Sequence, residues 1–148
     1  MALLPTIAAR AVNRALEGIS GKSVAHLCFG YAHIVHERPS GSSILPELEA
    51  VNVDVSSTEA AQPNLDLSIL EQLPSKTFLV GVISLGDPEL ETPEIVEGRI
   101  RRALAVLPPE RLWIAPDCGM KYRSREVAFG KLQSMARGAE TVRRELAG

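Results

Sequence analysis

A chain of 148 residues can bury one sizeable hydrophobic core, which predicts a single domain over residues 1–148. With 45% hydrophobic and 23% charged residues, its composition is that of an ordinary soluble globular protein, and no apolar stretch reaches the roughly 20 residues of a membrane span. A net charge of −2 and only 4% aromatic residues argue against nucleic-acid and membrane partners. Two cysteines do not make a disulfide framework and the first residues do not resemble a signal peptide, so we expect a cytoplasmic protein with reduced thiols.

The first half of the chain predicts two strands, each followed by a loop or a short helix. Apolar residues at helical spacing predict a helix over 5–18. The apolar run 22–30 predicts a short buried strand, and the stretch 31–43, which contains proline, glycine and serine, predicts a loop. A short helix over 44–50 and a strand over 51–58, in which valines alternate with polar residues, are expected next.

The second half of the chain carries the clearest signals. A helical stretch is predicted over 67–73, and the clearest buried strand is predicted over 77–86. Thr92 as N-cap and Pro93 at the first helical position predict the start of a helix, and 111–116 predicts a fourth strand.

The last predicted element is a helix over about 124–146. Its expected buried positions are Val127, Leu132, Met135, Ala139, Val142 and Leu146. One helix followed by four strand–helix units predicts an α/β fold with a parallel sheet covered by helices. Because the strands are continuous apolar runs, we expect them to be buried on both faces.

Four side chains that can bind a metal ion lie at or just after the carboxyl ends of three predicted strands. His26 and Cys28 lie at the end of the first strand, Glu59 just after the second and Cys118 just after the fourth. Parallel strands open their carboxyl ends on one edge of a sheet, where such folds bind ligands, so these side chains can converge. Imidazole nitrogen, thiolate sulfur and carboxylate oxygen form a sensible tetrahedral zinc set.

The residues alone leave two other interpretations open. The pattern is equally compatible with two buried cysteines that pack as small hydrophobic residues beside a core histidine. A disulfide between Cys28 and Cys118 is disfavoured in a reducing compartment. Spacing alone does not decide between packing and metal binding.

Three segments of the chain resemble the cobalamin-independent methionine synthase family. They are "HLCFG", "STEAAQPNLD" and "RLWIAPDCGMKYRSREVAFGKLQSMARGAETVRREL". The likeness is to the shorter, single-barrel branch of the family, and it extends over nearly the whole chain but only the last half or so of the catalytic barrel. The resemblance implies the C-terminal half of a (β/α)8 TIM barrel, with four parallel strand–helix units plus an N-terminal helix.

The resemblance also implies the cofactor and the substrates. Members of the family hold Zn²⁺ through positions that match His26, Cys28, Glu59 and Cys118, with Asp54 as the alternative carboxylate. The metal binds homocysteine as a thiolate, and the sulfur attacks a methyl group on N5 of a reduced folate. A free thiol has a pKa near 8.5, and metal coordination removes its proton at neutral pH.

The chain departs from the family in its length. A complete barrel of this kind takes about 250 residues, so four strand–helix units supply about half of it and leave unpaired strand edges. We therefore expect the chain to need a partner chain or a second copy of itself, and to be inactive or poorly active alone.

The second departure lies after the third strand. Ser84 and Gly86 stand where the better-known synthases carry the Asp and His of a D-x-H segment, whose His is thought to protonate the leaving folate nitrogen. This favours a donor with a better leaving group, such as a methyl-corrinoid, although methylfolate stays open. The alternatives are alkyl transfer to another thiol such as coenzyme M, and a non-catalytic truncated subunit.

For three further groups of residues, the sequence allows two interpretations each. His33 and His36 are either metal or acid–base groups or ordinary polar loop residues. Asp117 either orients a metal ligand or forms a turn after a proline. Residues 121–123 are expected to line the rim of the site or to cap the last helix. The sequence does not single out catalytic or substrate-binding residues.

Overall fold

The structure, a computed structural model, describes residues 3–28, 30, 45–86 and 88–148. Its helices and strands in chain order are α1 (Leu3–Leu16), β1 (Val24–Leu27), β2 (Val55–Thr58), β3 (Thr77–Ile83), α2 (Pro93–Leu104), β4 (Leu112–Pro116) and α3 (Arg125–Ala147). Short 3₁₀ helices occupy Leu45–Ala50, Leu67–Gln72 and Pro109–Arg111. In these ranges no helix is long and apolar enough to cross a membrane.

The four strands form one sheet in the order β1-β2-β3-β4, and every neighbouring pair is parallel. The strand order follows the chain and never reverses. A doubly wound sheet reverses its strand order at a switch point, whereas a barrel wall does not. The topology therefore confirms the predicted parallel α/β architecture and corresponds to one side of a barrel.

Each strand is shorter than predicted at one end or at both. β2 begins at Val55 rather than at Val51. The Asp54 carboxylate accepts hydrogen bonds from the amide and the hydroxyl of Ser23, at 2.7 and 2.8 Å, so the residues before β2 join the start of β1 through side-chain bonds instead of a ladder. The predicted loop over 31–43 lies outside the described residues.

The helices pack on one side of the sheet. There α1 joins a small group of buried apolar side chains, Ala9, Val51 and Val53, and two larger groups lie beside it. One group lies over β2 and β3 and contains Ala60, Leu65, Leu67, Leu70, Leu73, Phe78, Val80, Ala103 and Leu107. The other lies between β3, α2 and α3 and contains Val82, Ile83, Leu85, Val96, Ile100, Ala139 and Val142. These contacts hold β3 in the middle of the fold, so the strand ends around it have fixed positions.

The predicted start of α2 is confirmed. Thr92 is the N-cap, its hydroxyl accepts a hydrogen bond from the Ile95 amide at 3.4 Å, and Pro93 is the first helical residue. The proline pair at 108–109 predicts the end of this helix, but the helix ends at Leu104, four residues before Pro108.

The predictions for α3 are partly wrong. Ala139 and Val142 are buried as expected, but Leu132 and Leu146 are 41% and 53% exposed. The buried face instead includes Lys131 and Gly138. A Cβ on Gly138 would lie 2.8 Å from the Pro93 carbonyl oxygen, so α3 approaches α2 closely at this position and turns the two leucines outward.

The other side of the sheet carries no covering layer among the described residues. Strand register places His26, Ser57, Leu79 and Trp113 in one row across it. Val24 is 49% exposed on β1, and Trp113 is 40% exposed on β4. The expectation that the strands are buried on both faces is therefore wrong for β1 and β4.

Candidate metal centre

The four predicted ligands lie at one edge of the sheet. His26 is the last residue but one of β1, and Cys28 follows that strand directly. Glu59 follows β2, and Cys118 lies two residues beyond the end of β4. Because the three strands are parallel, their carboxyl ends reach the same edge. The structure brings all four side chains together.

The ligand atoms of the four residues lie within 4.8 Å of one another. Cys28 Sγ is 3.7 Å from Cys118 Sγ and 3.3 Å from Glu59 Oε1. Zinc–sulfur bonds of 2.3 Å in a tetrahedron would separate two sulfurs by about 3.8 Å, and a sulfur and an oxygen by about 3.6 Å. The donor types and their spacing fit a tetrahedral zinc ion.

The alternative ligand Asp54 does not belong to this group. Its carboxylate is bound to Ser23, at the amino-terminal end of β1 and β2. The ligand atoms converge at the opposite end of the same strands. Glu59 is therefore the carboxylate that the fold brings to the cluster.

The two other interpretations of the cysteines do not fit the geometry. Both cysteines are free thiols, and their separation of 3.7 Å exceeds the S–S bond of about 2.05 Å. Cys28 is exposed, so it does not pack as a core residue, whereas Cys118 is partly buried against the apolar group between β3, α2 and α3.

The imidazole of His26 has a fixed neighbour. Its Nδ1 lies 2.9 Å from the hydroxyl of Ser57, its register partner on β2. An Nδ1–H that donates to this hydroxyl leaves the Nε2 lone pair available to a metal. The sequence did not single out Ser57, because only the strand register shows that it faces His26.

The carboxylate of Glu59 sits in a buried segment held by Asp117. Glu59 is 1% exposed and Asp117 is 2% exposed. The Asp117 carboxylate accepts hydrogen bonds from the next three amides, those of Ala60 and Ala61 at 3.0 Å and that of Gln62 at 2.7 Å. Burial raises the pKa of Asp117, although the three amide hydrogen bonds oppose the rise.

The Cys28 thiol is a weak acid in this environment. Burial is the largest cause that raises its pKa, the Gly30 amide opposes the rise, and Glu59 and Cys118 add to it, so the value reaches about 11. At neutral pH the thiol is therefore protonated unless a cation replaces the proton.

The segment that departs from the family lies beside this edge. Ser84 and Gly86 line a cavity of about 360 Å³ together with Gln62. The Ser84 amide donates to Glu91 Oε1 at 2.7 Å, and the Gly86 amide donates to the Ser84 hydroxyl at 3.2 Å. Neither residue can supply a proton as an imidazole would.

Five other residues that the sequence analysis singled out have mixed outcomes. His33 and His36 lie outside the described residues. The guanidinium of Arg123 donates to the Leu85 carbonyl, which ties the start of α3 to the segment after β3. The ammonium of Lys121 lies 4.9 Å from the centre of the exposed Tyr122 ring.

A buried ion network beneath the site was not predicted. Lys131 is fully buried, and its Nζ contacts Glu91 Oε2 at 2.8 Å and the Glu89 carbonyl. The other oxygen of Glu91 accepts from Arg99 at 3.0 Å, and Arg99 also donates to the Val82 carbonyl at 2.8 Å. The network joins α2, α3 and the segment after β3.

Comparison with known proteins decides the family. Residues 18–141 match the family described as the cobalamin-independent synthase catalytic domain. The chain belongs to this family. The resemblance inferred from three sequence segments is thereby confirmed.

Named relatives show how much of a family member the chain represents. It is 36% identical to the methionine synthase of Thermococcus kodakarensis over 143 residues, 96% of this chain and 40% of the relative. It is 35% identical to the methionine synthase of Saccharolobus solfataricus over 145 residues, 92% of this chain and 39% of that relative. The chain therefore spans about two fifths of the length of these two methionine synthases.

A solved member of the family has the same fold. The B12-independent methionine synthase of Shewanella sp. W3-18-1, in complex with selenomethionine, matches with a TM-score of 0.84 at 29% identity. The match covers 94% of this chain and 43% of that chain. This confirms that the four strands and their helices correspond to part of a TIM barrel.

Proposed function

We propose that the chain is the zinc-bearing half of a thiol methyltransferase barrel. His26, Cys28, Glu59 and Cys118 hold Zn²⁺, and the substrate is homocysteine or a related small thiol. The observation that carries this proposal is the convergence of the four ligand atoms within 4.8 Å. The methionine synthases among its relatives, and the selenomethionine bound to the Shewanella protein, support a thiol acceptor.

The chemistry of the donor set suits thiol activation. When bound, zinc would keep the substrate thiol in its thiolate form at neutral pH. His26 and Cys28 are exposed, whereas Glu59 is buried, so a substrate thiol would approach the cluster past His26 and Cys28 rather than past Glu59. The thiolate sulfur takes the methyl group, and the electron pair of the broken bond stays on the donor.

The residues after β3 help to choose between the possible methyl donors. Ser84 and Gly86 provide no acid to protonate a folate nitrogen as it leaves. We therefore favour a donor with a better leaving group, such as a methyl-corrinoid, over 5-methyltetrahydrofolate. The same departure from the synthases makes alkyl transfer to another thiol, such as coenzyme M, the second candidate.

The side of the sheet that the described helices leave open, together with its two edge strands, indicates where a partner would bind. Among the described strands, β1 and β4 each have a neighbour on one side only, and Val24 and Trp113 on these strands are exposed. An apolar groove of about 400 Å³ runs beside β4 and includes Trp113 and Leu146. We propose that the rest of a barrel covers these edges, from a partner chain, from a longer chain or from a second copy. In the non-catalytic alternative this assembly is the whole function.

A methyl-transfer assay tests the proposed function. Because the chain is expected to be poorly active alone, the zinc-loaded chain is combined with a fragment that supplies the rest of the barrel. The mixture is incubated with homocysteine and either methylcobalamin or 5-methyltetrahydrofolate, and methionine is measured. We expect more methionine from methylcobalamin, and none from either donor with Cys118→Ser. The matched control Asp54→Asn changes a carboxylate at the far end of the strands and should keep the activity. A folded, zinc-loaded chain that transfers no methyl group to homocysteine or coenzyme M from either donor, even when the rest of the barrel is supplied, would support the non-catalytic alternative.

A further inference from the structure

The two sides of the proposed zinc site are joined by a carboxylate that is not itself one of the ligands. Asp117 is the residue before Cys118, and its side chain receives the three amides that follow Glu59. Glu59 belongs to the end of β2 and Cys118 to the end of β4, and β3 lies between these strands. The Asp117 side chain therefore bridges over β3 and connects two ligand segments that are not neighbours in the sheet.

β3 is shaped to let this bridge pass. The ladder between β3 and β4 pairs Gly81 with Ala115 and Ile83 with Pro116, so β3 carries one extra residue at this point. A bulge of this kind re-aims the residues that follow it. Asp117 is then fixed by its own amide, which donates to the Ile83 carbonyl at 3.0 Å.

Gly81 provides the space for the carboxylate. A Cβ at this position would lie 2.0 Å from Asp117 Oδ1 and 2.9 Å from Asp117 Cα. Both distances are impossible for real atoms, and the second involves backbone, which cannot turn aside. Any other residue at position 81 would push Asp117 away from the segment after Glu59.

We propose that Asp117 is a positioning residue that fixes Glu59 relative to Cys118 and so sets the geometry of the metal site. This inference rests on the proposed zinc function. Glu59 has little freedom of its own, since the next three backbone amides all end on one carboxylate. A residue that acts on ligand geometry changes metal affinity by about 10- to 100-fold when it is replaced.

Cobalt(II) is a suitable probe because its visible bands report coordination geometry. Apparent dissociation constants for cobalt are measured for the wild type, Asp117→Asn, Glu59→Gln and the double variant. In Asp117→Asn the amide nitrogen would face the Gln62 amide, donor against donor. We expect about 10-fold weaker binding and altered bands in Asp117→Asn, and little further loss when Glu59 is already Gln. Asp54→Asn, a carboxylate that also receives a backbone amide but at the far end of the sheet, is the control that should bind normally.

The outcomes separate this inference from the proposed function. Wild-type protein that is folded but binds no cobalt or zinc contradicts the zinc function itself. If the wild type binds cobalt and Asp117→Asn binds it with the same affinity and the same bands, the positioning role is contradicted. The role is also contradicted if the losses of affinity in Asp117→Asn and Glu59→Gln simply add in the double variant. If Asp117→Asn does not fold, hydrogen exchange in the metal-free wild type decides. The amides of Ala60, Ala61 and Gln62 should be protected, and rapid exchange at all three would overturn the positioning role.

Discussion

The thiol of Cys28 lies 3.7 Å from the thiol of Cys118, although 90 residues separate them in the chain. Because β1 and β4 are parallel, both thiols lie at the same edge of the sheet. Two strands separate β1 from β4, and neighbouring strands lie about 4.8 Å apart, so the residues that follow the two strands must also turn toward each other. The separation is close to the edge of about 3.8 Å that two sulfurs span on a tetrahedral zinc ion. The fold thus holds the two thiols at ligand spacing without a covalent bond between them.

Two adjacent serines on β2 offer a matched pair of variants. The Ser57 hydroxyl contacts His26, so Ser57→Ala should weaken zinc binding by about tenfold through loss of imidazole orientation. The Ser56 hydroxyl is buried and has no hydrogen-bond partner in the described structure, so Ser56→Ala should leave zinc binding unchanged and stabilise the fold slightly. Competition with a chromophoric chelator measures both affinities. Equal affinities for the two variants would contradict the role of Ser57.

The buried ion network should dominate the stability of the α2–α3 side. Glu91→Gln leaves the fully buried Lys131 ammonium without its counter-charge, and we expect a loss of about 3–5 kcal/mol in the free energy of unfolding. Glu145→Gln is the control, because Glu145 pairs with Arg101 at an exposed position and the loss of this pair should hardly change the free energy of unfolding. Urea unfolding compares the variants. A Glu91→Gln protein as stable as the control would contradict this assignment.

The same network predicts a response to acid. Burial by itself would raise the pKa of Glu91, but hydrogen bonds from Lys131, Arg99 and the Ser84 amide hold it below its ordinary value. A carboxyl whose pKa is lower in the folded state stabilises the fold fully above its unfolded pKa of about 4.3, and this contribution is lost as the pH falls through the folded value. Unfolding free energies measured below neutral pH should therefore fall more steeply in the wild type than in Glu91→Gln. If the unfolding free energies of the two proteins fall in parallel with pH, Glu91 does not contribute to acid sensitivity in this way.

The uncovered edge of β4 should take part in assembly. Trp113, the single tryptophan of the sequence, is 40% exposed there, so its fluorescence reports on this edge. If a second copy covers the edge, its emission should shift to the blue as concentration rises, together with a larger sedimentation coefficient. Trp113→Asp should remain monomeric, because it places a charge in an apolar contact. A wild-type chain that stays monomeric and binds no apolar dye would contradict the need for a partner.

The location of the site could be predicted because it depends on strand order alone. Parallel strands place His26, Cys28 and Cys118 on one edge wherever each strand begins. The choice between Glu59 and Asp54 needed the start of β2, which a side-chain bond from Asp54 to Ser23 sets and hydrophobic periodicity does not show. The proposed chemical role of the cluster came from the family resemblance, because spacing alone does not indicate it.

The features that escaped prediction depend on contacts between distant segments. Lys131 lies on the buried face of α3, but its charge suggests a solvated position until Glu91 is seen beside it. Leu132 is apolar, which suggests a buried position, but it is exposed. The close approach of α3 to α2 at Gly138 sets the rotation of the helix, and the sequence pattern does not show this contact. Ser57 was not singled out because only the strand register shows that it faces His26. For Asp117 the sequence left a ligand-orienting residue and a turn open, and the bulge in β3 bears on that choice.

Metal analysis of the purified chain tests the central claim most directly. The wild type, shown to be folded by circular dichroism and purified with zinc present, should contain about one zinc per chain. Cys118→Ser should contain little or none, and Asp54→Asn should contain as much as the wild type. A folded wild-type chain without zinc, or a Cys118→Ser variant that keeps the full content, would contradict the proposed site.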